Sequence, residues 1–246
     1  MARVPERAAR PQVVLCDLDD TLMLFSDVDR QSWRRAIASL PETAELASDG
    51  LVAAFYQSAT TFWADPAKND WGRVNPEAAR SEIARAALEG RLDPRPELCL
   101  RLARAYWEDR KRAFRLFPRV KETLCVLQAA GYRLGMVTNG DSRGQREKIA
   151  RFGLGPHFEH ILIEEEVGSG KPAPEIFLRA AAAFSLPPAD IWMTGNDLER
   201  DVAGAKAVGM TGVWVNPASS PPFDGDVVPD HVIGAFHEIA SLLCVA

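Results

Sequence analysis

Three carboxylates and a hydroxyl stand together near the start of the chain, in Asp17-Leu18-Asp19-Asp20-Thr21-Leu22. Acids this close repel one another unless a cation or a reacting group uses them. With Asp17 ending a strand and Asp19 two residues on, the pair reaches the same side while Leu18 turns inward. One carboxylate is then free to act as a nucleophile and the other as a general acid and base. The plain alternative is a polar loop of turn-forming aspartates.

Three later stretches offer matching chemistry. Thr138-Asn139-Gly140 sets a hydroxyl, an amide and a flexible glycine ahead of a helix N-terminus, which favours anions; a capped turn is the alternative. Gly170-Lys171-Pro172 holds one lysine in a loop before a helix starting near Pro174, where its ammonium could neutralise a phosphoryl oxygen. A solvated surface lysine is the alternative. Two nucleotide motifs fail at this loop. Lys171 is followed by Pro rather than Ser or Thr, and Glu165 stands where a P-loop needs its first Gly. Gly168-x-Gly170-x-x-Ala173 is spoiled as a dinucleotide fingerprint by Pro172 and Pro174. Finally, Gly195-Asn196-Asp197, with Glu199 and Asp201, forms a second acidic cluster of the kind an oxygen-ligated Mg²⁺ uses. An acidic helix start, stabilised by the helix dipole, would explain Asp197 and Glu199 alone.

The elements that must position these groups are short buried strands, read at Val13–Asp17, Arg133–Thr138, His160–Ile163, Ile191–Gly195 and Gly212–Val215. Helical patterns alternate with them at Pro118–Ala130, Ser142–Phe152, Pro174–Phe184 and Glu199–Val208. Pro118 suits a first turn, and Gly131 and Gly209 suit C-terminal caps. This alternation predicts an α/β, Rossmann-like parallel sheet covered on both faces, with its crevice beyond the carboxyl ends of the strands. From Met23 to Phe117 no strand pattern occurs, only helical stretches opened by Asp27, Ser48, Asn75-Pro76 and Asp93-Pro94. The expected organisation is therefore a core from residues 1–22 and 117–246, with an inserted helical domain over 23–116.

Composition bounds the partners. The chain has 246 residues, 47% hydrophobic and 26% charged, with net charge −5, so a bulk nucleic acid or anionic membrane partner is not expected. Cys16, Cys99, Cys125 and Cys244 stand far apart without a C-x-x-C, which fits a reducing cytosol better than a disulfide or zinc framework. No apolar run has the length of a signal core or a membrane span, and the first ten or so residues read as a loose tail of a cytoplasmic protein. Nothing fixes an oligomeric state.

Taken in order, D-L-D-D-T-L, V-T-N-G, G-K-P-A-P-E-I-F and G-N-D-L-E-R-D-V-A-G-A resemble the phosphatase branch of the haloacid dehalogenase superfamily. The likeness covers about Gln12–Leu22 and Pro118–Val215, with Thr138–Ile149 and Glu164–Phe177 similar to the subgroup of N-acylneuraminate 9-phosphatases and pyrimidine nucleotidases. The resemblance implies a helical cap in the insert and Mg²⁺-dependent hydrolysis of a small phosphate monoester, of the sugar-phosphate or nucleotide class. It makes Asp17 the nucleophile that forms an aspartyl-phosphate, and Asp19 the acid that protonates the leaving alcohol and then activates water. Thr138 and Lys171, with the backbone near Asn139 and Gly140, would hold the phosphoryl group. Mg²⁺ would be held by the Asp17 carboxylate, the Asp19 carbonyl and the fourth motif, from Asn196, Asp197 and Asp201. One departure stands out: the family usually has Gly-Asp where this chain has Gly195-Asn196. An amide offers an oxygen to Mg²⁺ but no charge, so weaker metal binding, an altered optimum or an impaired enzyme all stay open.

Other classes compete. Gly140-Asp141-Ser142-Arg143-Gly144 matches the G-x-S-x-G of serine hydrolases, with His231 and His237 downstream, but no H-G-G-G-like oxyanion segment accompanies it. A haloacid dehalogenase shares the fold yet needs neither the second aspartate nor a metal. A phosphomutase uses the same two acids, and a metal-impaired member could serve as a binding protein. His157 and His160 lack a third ligand and read as surface or packing residues. Phe62, Trp63, Trp71, Tyr106 and Trp107 read as the core of the insert, and Arg110, Lys111, Arg112 and Arg115 as a solvated helix face.

Overall fold

The computed structural model describes residues 10–25, 29–217 and 226–245. The chain divides into two compact units: Leu24–Arg115 forms one, and the residues on either side of it form the other.

The strands are β1 (Val13–Cys16), β2 (Met23–Leu24), β3 (Arg115–Leu116), β4 (Arg133–Thr138), β5 (His160–Ile163), β6 (Ile191–Gly195), β7 (Thr211–Val215) and β8 (His231–Ile233). Six of them make one parallel sheet in the order β5-β4-β1-β6-β7-β8. β1 is buried throughout, as its uninterrupted apolar run Val-Val-Leu-Cys requires of a central parallel strand. It lies between β4 and β6, the point at which chain order reverses, so the crevice of this sheet opens at its carboxyl end. Register makes Cys16 the neighbour of both Met136 and Thr194. Asp17, Asn139 and Asn196 therefore leave adjacent strand ends.

The expected bounds of β4, β5 and β6 match the structure. Two features of the core were not anticipated. β8 adds a sixth parallel strand, too short at three residues to give a pattern, and β2 pairs with β3 where the chain leaves the core and returns. Helices α1 (Asp29–Ser39), α2 (Pro41–Ala44), α3 (Asp49–Ala64), α4 (Pro66–Val74), α5 (Pro76–Leu88) and α6 (Pro96–Ala113) build the insert. In the core follow α7 (Val120–Ala129), α8 (Ser142–Arg151), α9 (Glu164–Val167), α10 (Pro174–Phe184), α11 (Gly204–Ala207) and α12 (Ile239–Leu242). Val13, Leu15, Val137 and Met193 pack with Ile176, Phe177, Ala180 and Phe184 of α10 on one sheet face. Gly131 and Gly209 take the left-handed backbone expected of helix ends, with φ of 88° and 89°.

Several helix starts differ from expectation. α7 begins after Arg119, whose left-handed backbone leaves Pro118 outside the helix. α6 begins at Pro96 rather than at Asp93-Pro94, because Pro96 supplies its own first-turn geometry. Ser48 does cap α3, accepting from Leu51 N, and α5 starts after Asn75. Asp27 and the first nine residues lie outside the described residues. The stretch read as one helix over Glu199–Val208 is a π-helical turn, Leu198–Ala203, followed by α11.

The insert has its own core. Trp33 sits 4.7 Å from the Phe55 ring and stacks on Tyr106 at 4.0 Å, with Phe62, Ile83, Leu88 and Leu102 buried around them. Trp63 and Trp107 pack partly against this cluster, but Trp71 is 41% exposed and does not belong to it. Arg110 also departs from expectation. It is 8% exposed rather than solvated, stacked 4.0 Å over Phe25, and donates to the Tyr106 hydroxyl and to Phe25 O at 2.8 Å. An aromatic face and two oxygens replace the water it gives up. Among the described residues no helix is long and apolar enough to cross a membrane.

Candidate active site

The centre of the site is a buried cation between two buried acids. Lys171 Nζ donates to Asp17 Oδ1 at 2.6 Å and to Asp201 Oδ1 at 2.7 Å, with all three side chains less than a tenth exposed. Asp17 enters at the end of β1, Lys171 from the loop before α10, and Asp201 from the π-helical turn, in which Asp201 N and Val202 N both point at Asp197 O. Such a turn rotates one residue out of α-helical phase, and here it presents Asp201 to Lys171. Gly195 makes the approach possible: a Cβ there would lie 2.1 Å from Asp201 Oδ2.

Two carboxylates and one ammonium leave one negative charge uncompensated in a buried place. Burial accordingly pushes Asp17 up to about 7, against the pull of Lys171 and with the help of the Asp201 charge. Lys171 is raised above its ordinary value, because its two carboxylate partners outweigh the burial that opposes its charge. Burial also raises the Cys16 thiol, aided by Asp17, which removes that sulfur as a nucleophile.

Thr21 joins this centre to the fourth motif. Its hydroxyl lies 2.9 Å from Asp17 Oδ2 and 3.2 Å from Asn196 Oδ1, and accepts from Asn196 N at 3.1 Å. One hydroxyl proton cannot serve both oxygens, so two oxygen acceptors converge where a further positive centre would satisfy them. Asp197, by contrast, is turned to its own helix. Its Oδ1 accepts from Glu199 N and Arg200 N, the capping role its position also allowed, so its carboxylate is already engaged.

Asp19 stands on the other side of the Asp17 strand end. Lys148 Nζ lies 2.8 Å from both of its oxygens, and Gln145 Nε2 donates to Oδ2 at 3.1 Å. Gln145 also reaches Thr138 Oγ1 at 2.6 Å and Asn139 O at 2.7 Å. Asn139 in turn locks the lysine loop: its Nδ2 donates to Lys171 O and its Oδ1 accepts from Lys171 N, both at 2.7 Å. The Gly140 amide, an expected anion donor, is instead given to Glu164 Oε2 at 2.8 Å.

The structure thus brings together Asp17, Asp19, Thr138, Asn139, Lys171, Asn196 and Asp201, while Gly140 and Asp197 spend their groups elsewhere. Gln145, Lys148 and Glu164 are partners the sequence reading did not single out, and Thr21, noted there as the hydroxyl beside the acids, had no role assigned to it. Ser142 is no hydrolase nucleophile here. Its hydroxyl donates to Glu166 at 2.6 Å and its amide to Glu165, while His231 packs at a tilt against Trp192, 4.7 Å between ring centres. His157 pairs with Gln128 and His160 packs on Phe184, as expected of non-ligands.

Whether a divalent cation suits these residues turns on their donors. No three His, Cys, Asp or Glu side chains form a ligand cluster among the described residues. A mixed set of hard oxygens is present, however, in Asp17 Oδ2 and Asn196 Oδ1 beside Thr21, and the buried charge deficit has the right sign. The residues fit Mg²⁺ better than a softer metal.

Residues 11–209 match the haloacid dehalogenase-like hydrolase family. The phosphoserine phosphatase of Thermus thermophilus is 36% identical over 160 residues, 65% of this chain and 63% of that protein, less than two thirds of its length. The ribulose-1,5-bisphosphate 5-phosphatase of Halopiger xanaduensis is 32% identical over 83% of this chain and 84% of its own. Among solved structures, a 2-haloacid dehalogenase from Pseudomonas syringae has TM-score 0.66 and 26% identity, covering 94% of this chain and 97% of its own. A HAD-hydrolase from Bacillus subtilis, solved bound to magnesium, has TM-score 0.73 and 22% identity over 95% and 99%, a likeness of fold. With its parallel sheet, its aspartates at the end of β1 and its lysine bridge to Asp201, the chain belongs to the haloacid dehalogenase-like hydrolases.

Proposed function

We propose that this hydrolase cleaves small phosphate monoesters with Mg²⁺ through an aspartyl-phosphate on Asp17. The observation that carries the reading is the pairing of roles around one strand end: Asp17 against a buried ammonium, and Asp19 held apart from it by Lys148 and Gln145. Asp17 attacks phosphorus, the ester P–O bond breaks, and Asp19 gives its proton to the departing oxygen. Asp19 then takes a proton from the water that attacks the phosphoenzyme, releasing inorganic phosphate and restoring Asp17. Lys171 and the Thr138 hydroxyl neutralise and orient the phosphoryl oxygens, the main requirement of a loose phosphoryl transition state.

Mg²⁺ would be held by Asp17, the Asp19 carbonyl and Asn196, with Asp201 behind Lys171, and it would supply charge neutralisation at the phosphoryl oxygens. The insert Leu24–Arg115 acts in this reading as the cap that selects substrate and excludes bulk water. The phosphatases among the relatives, which act on phosphoserine and ribulose 1,5-bisphosphate by name, support small phosphorylated metabolites as the substrate class. Asp19 favours this over dehalogenation, since a departing halide needs no proton. Asn196 favours one second reading, a metal-impaired binding protein.

Hydrolysis of p-nitrophenyl phosphate as a function of Mg²⁺ tests both. Metal-dependent turnover that disappears in Asp17→Asn is the expected result. Turnover that persists in Asp17→Asn would overturn the mechanism, and activity appearing only in Asn196→Asp would favour the binding protein.

A further inference from the structure

Asp19 is gripped from a single helix. Gln145 and Lys148 lie three residues apart on α8 and so share a face, and that face meets the end of β1. Both are buried, Gln145 at 2% exposure and Lys148 at 6%, in a helix whose other charges are mostly solvated. Withdrawing an ammonium from water is costly, and the bidentate contact with Asp19 at 2.8 Å to each oxygen helps to compensate it.

Gln145 extends the arrangement. Its amide nitrogen has two hydrogens and three acceptors within reach: Asp19 Oδ2, Thr138 Oγ1 and Asn139 O. By donating to Thr138 it occupies one lone pair of that hydroxyl, which directs the hydroxyl hydrogen elsewhere. A single side chain thus couples the acid on one strand end to the phosphoryl donor on the next.

We infer that Lys148 and Gln145 are positioning residues that hold the Asp19 carboxylate for proton transfer to the leaving group, with Gln145 also orienting the Thr138 hydroxyl. This inference rests on the phosphatase reading above. Lys148 keeps its own protons throughout; the proton delivered to the leaving oxygen is that of Asp19. A consequence follows that a purely structural role would not share. A nitrophenolate departs with little help from an acid, whereas an alkoxide requires the proton, so disturbing Asp19 must hurt the second substrate more.

The experiment compares kcat on p-nitrophenyl phosphate and on glycerol 2-phosphate, in the native chain or in Asn196→Asp if only that variant turns over. Lys148→Met is expected to lower kcat on the alkyl ester about ten- to a hundredfold more than on the aryl ester. Lys148→Arg should recover part of that difference, and Lys148→Met added to Asp19→Asn should cost little more on either substrate. Gln145→Leu should show the same dependence on leaving group, and decides the matter if Lys148→Met does not fold. Equal losses on both substrates, a further multiplicative loss in Asp19→Asn, or a gain in activity would overturn the inference. Asp17→Asn separates the two levels. If it abolishes turnover while the leaving-group pattern is missing, only the positioning role falls; if it leaves turnover intact, the phosphatase reading falls.

Discussion

Asp17 should make the metal-free protein less stable as pH rises, and Asp17→Asn should remove that dependence. Its carboxyl is raised from 3.8 to about 7 in the folded chain, chiefly by burial. Between those values the folded state holds a proton that the unfolded state has released, so stability falls with rising pH and levels off above about 7. One proton is worth about 1.4 kcal/mol per pH unit. Between pH 5 and 7 this amounts to about 2 kcal/mol, with little further loss by pH 8. The assay is urea unfolding with chelator from pH 5 to 8, native chain against Asp17→Asn. Taking the difference cancels the groups common to both. Excess Mg²⁺ should flatten the native curve by displacing the proton, and its apparent affinity should rise with pH up to about 7. Superimposable pH curves for the two proteins would refute the reasoning, because the titrating group would then lie elsewhere.

Three further outcomes are expected. Gly195→Ala puts a Cβ 2.1 Å from Asp201 Oδ2 and must push that carboxylate off Lys171, costing about 3 kcal/mol and roughly 6–12 °C of melting temperature; an unchanged melting curve would show that the turn has room. Asn196→Asp adds a second uncompensated charge beside Asp17, so metal-free melting should fall while half-activation by Mg²⁺ moves about tenfold lower, read by thermal scans and a metal titration. Ser142→Ala removes one exposed hydrogen bond to Glu166 and should leave kcat within about twofold and stability within about 1 kcal/mol; complete inactivation would restore the serine hydrolase reading.

The parts of this site that were legible in the sequence are those fixed by strand ends. β4, β5 and β6 are apolar runs stopped by polar residues, and parallel pairing around β1 then forces Asp17, Asn139 and Asn196 to neighbouring positions whatever the helices do. What stayed hidden depended on rotation. Gln145 and Lys148 sit in Ser-Arg-Gly-Gln-Arg-Glu-Lys-Ile, a run so charged that its burial cannot be read from hydrophobic periodicity. Their three-residue spacing just after Thr-Asn-Gly was the available signal. Among Asp197, Glu199 and Asp201, only the π-helical turn decides that Asp201 faces Lys171 while Asp197 caps. Arg110 needed a partner 85 residues away, Phe25, which no local pattern indicates.

The amide at position 196 is best understood through the charges around it. Asp17, Asp201 and Lys171 sum to −1, and whatever charge Asp19 and Lys148 carry is the same with either residue at 196. In the proposed mechanism a divalent cation would bring the buried centre to +1, and an arriving phosphate dianion would bring it to −1. With a carboxylate at 196 the same sum would end at −2, so metal would be held more firmly and the dianion admitted against greater repulsion. Asn196 keeps the oxygen that faces Thr21 and gives up the charge. On this accounting the amide would trade metal affinity for anion affinity without dismantling the site. It follows that Asn196→Asp should lower the Mg²⁺ requirement and raise KM together, and the opposite coupling would show that the amide serves the protein in some way other than through charge.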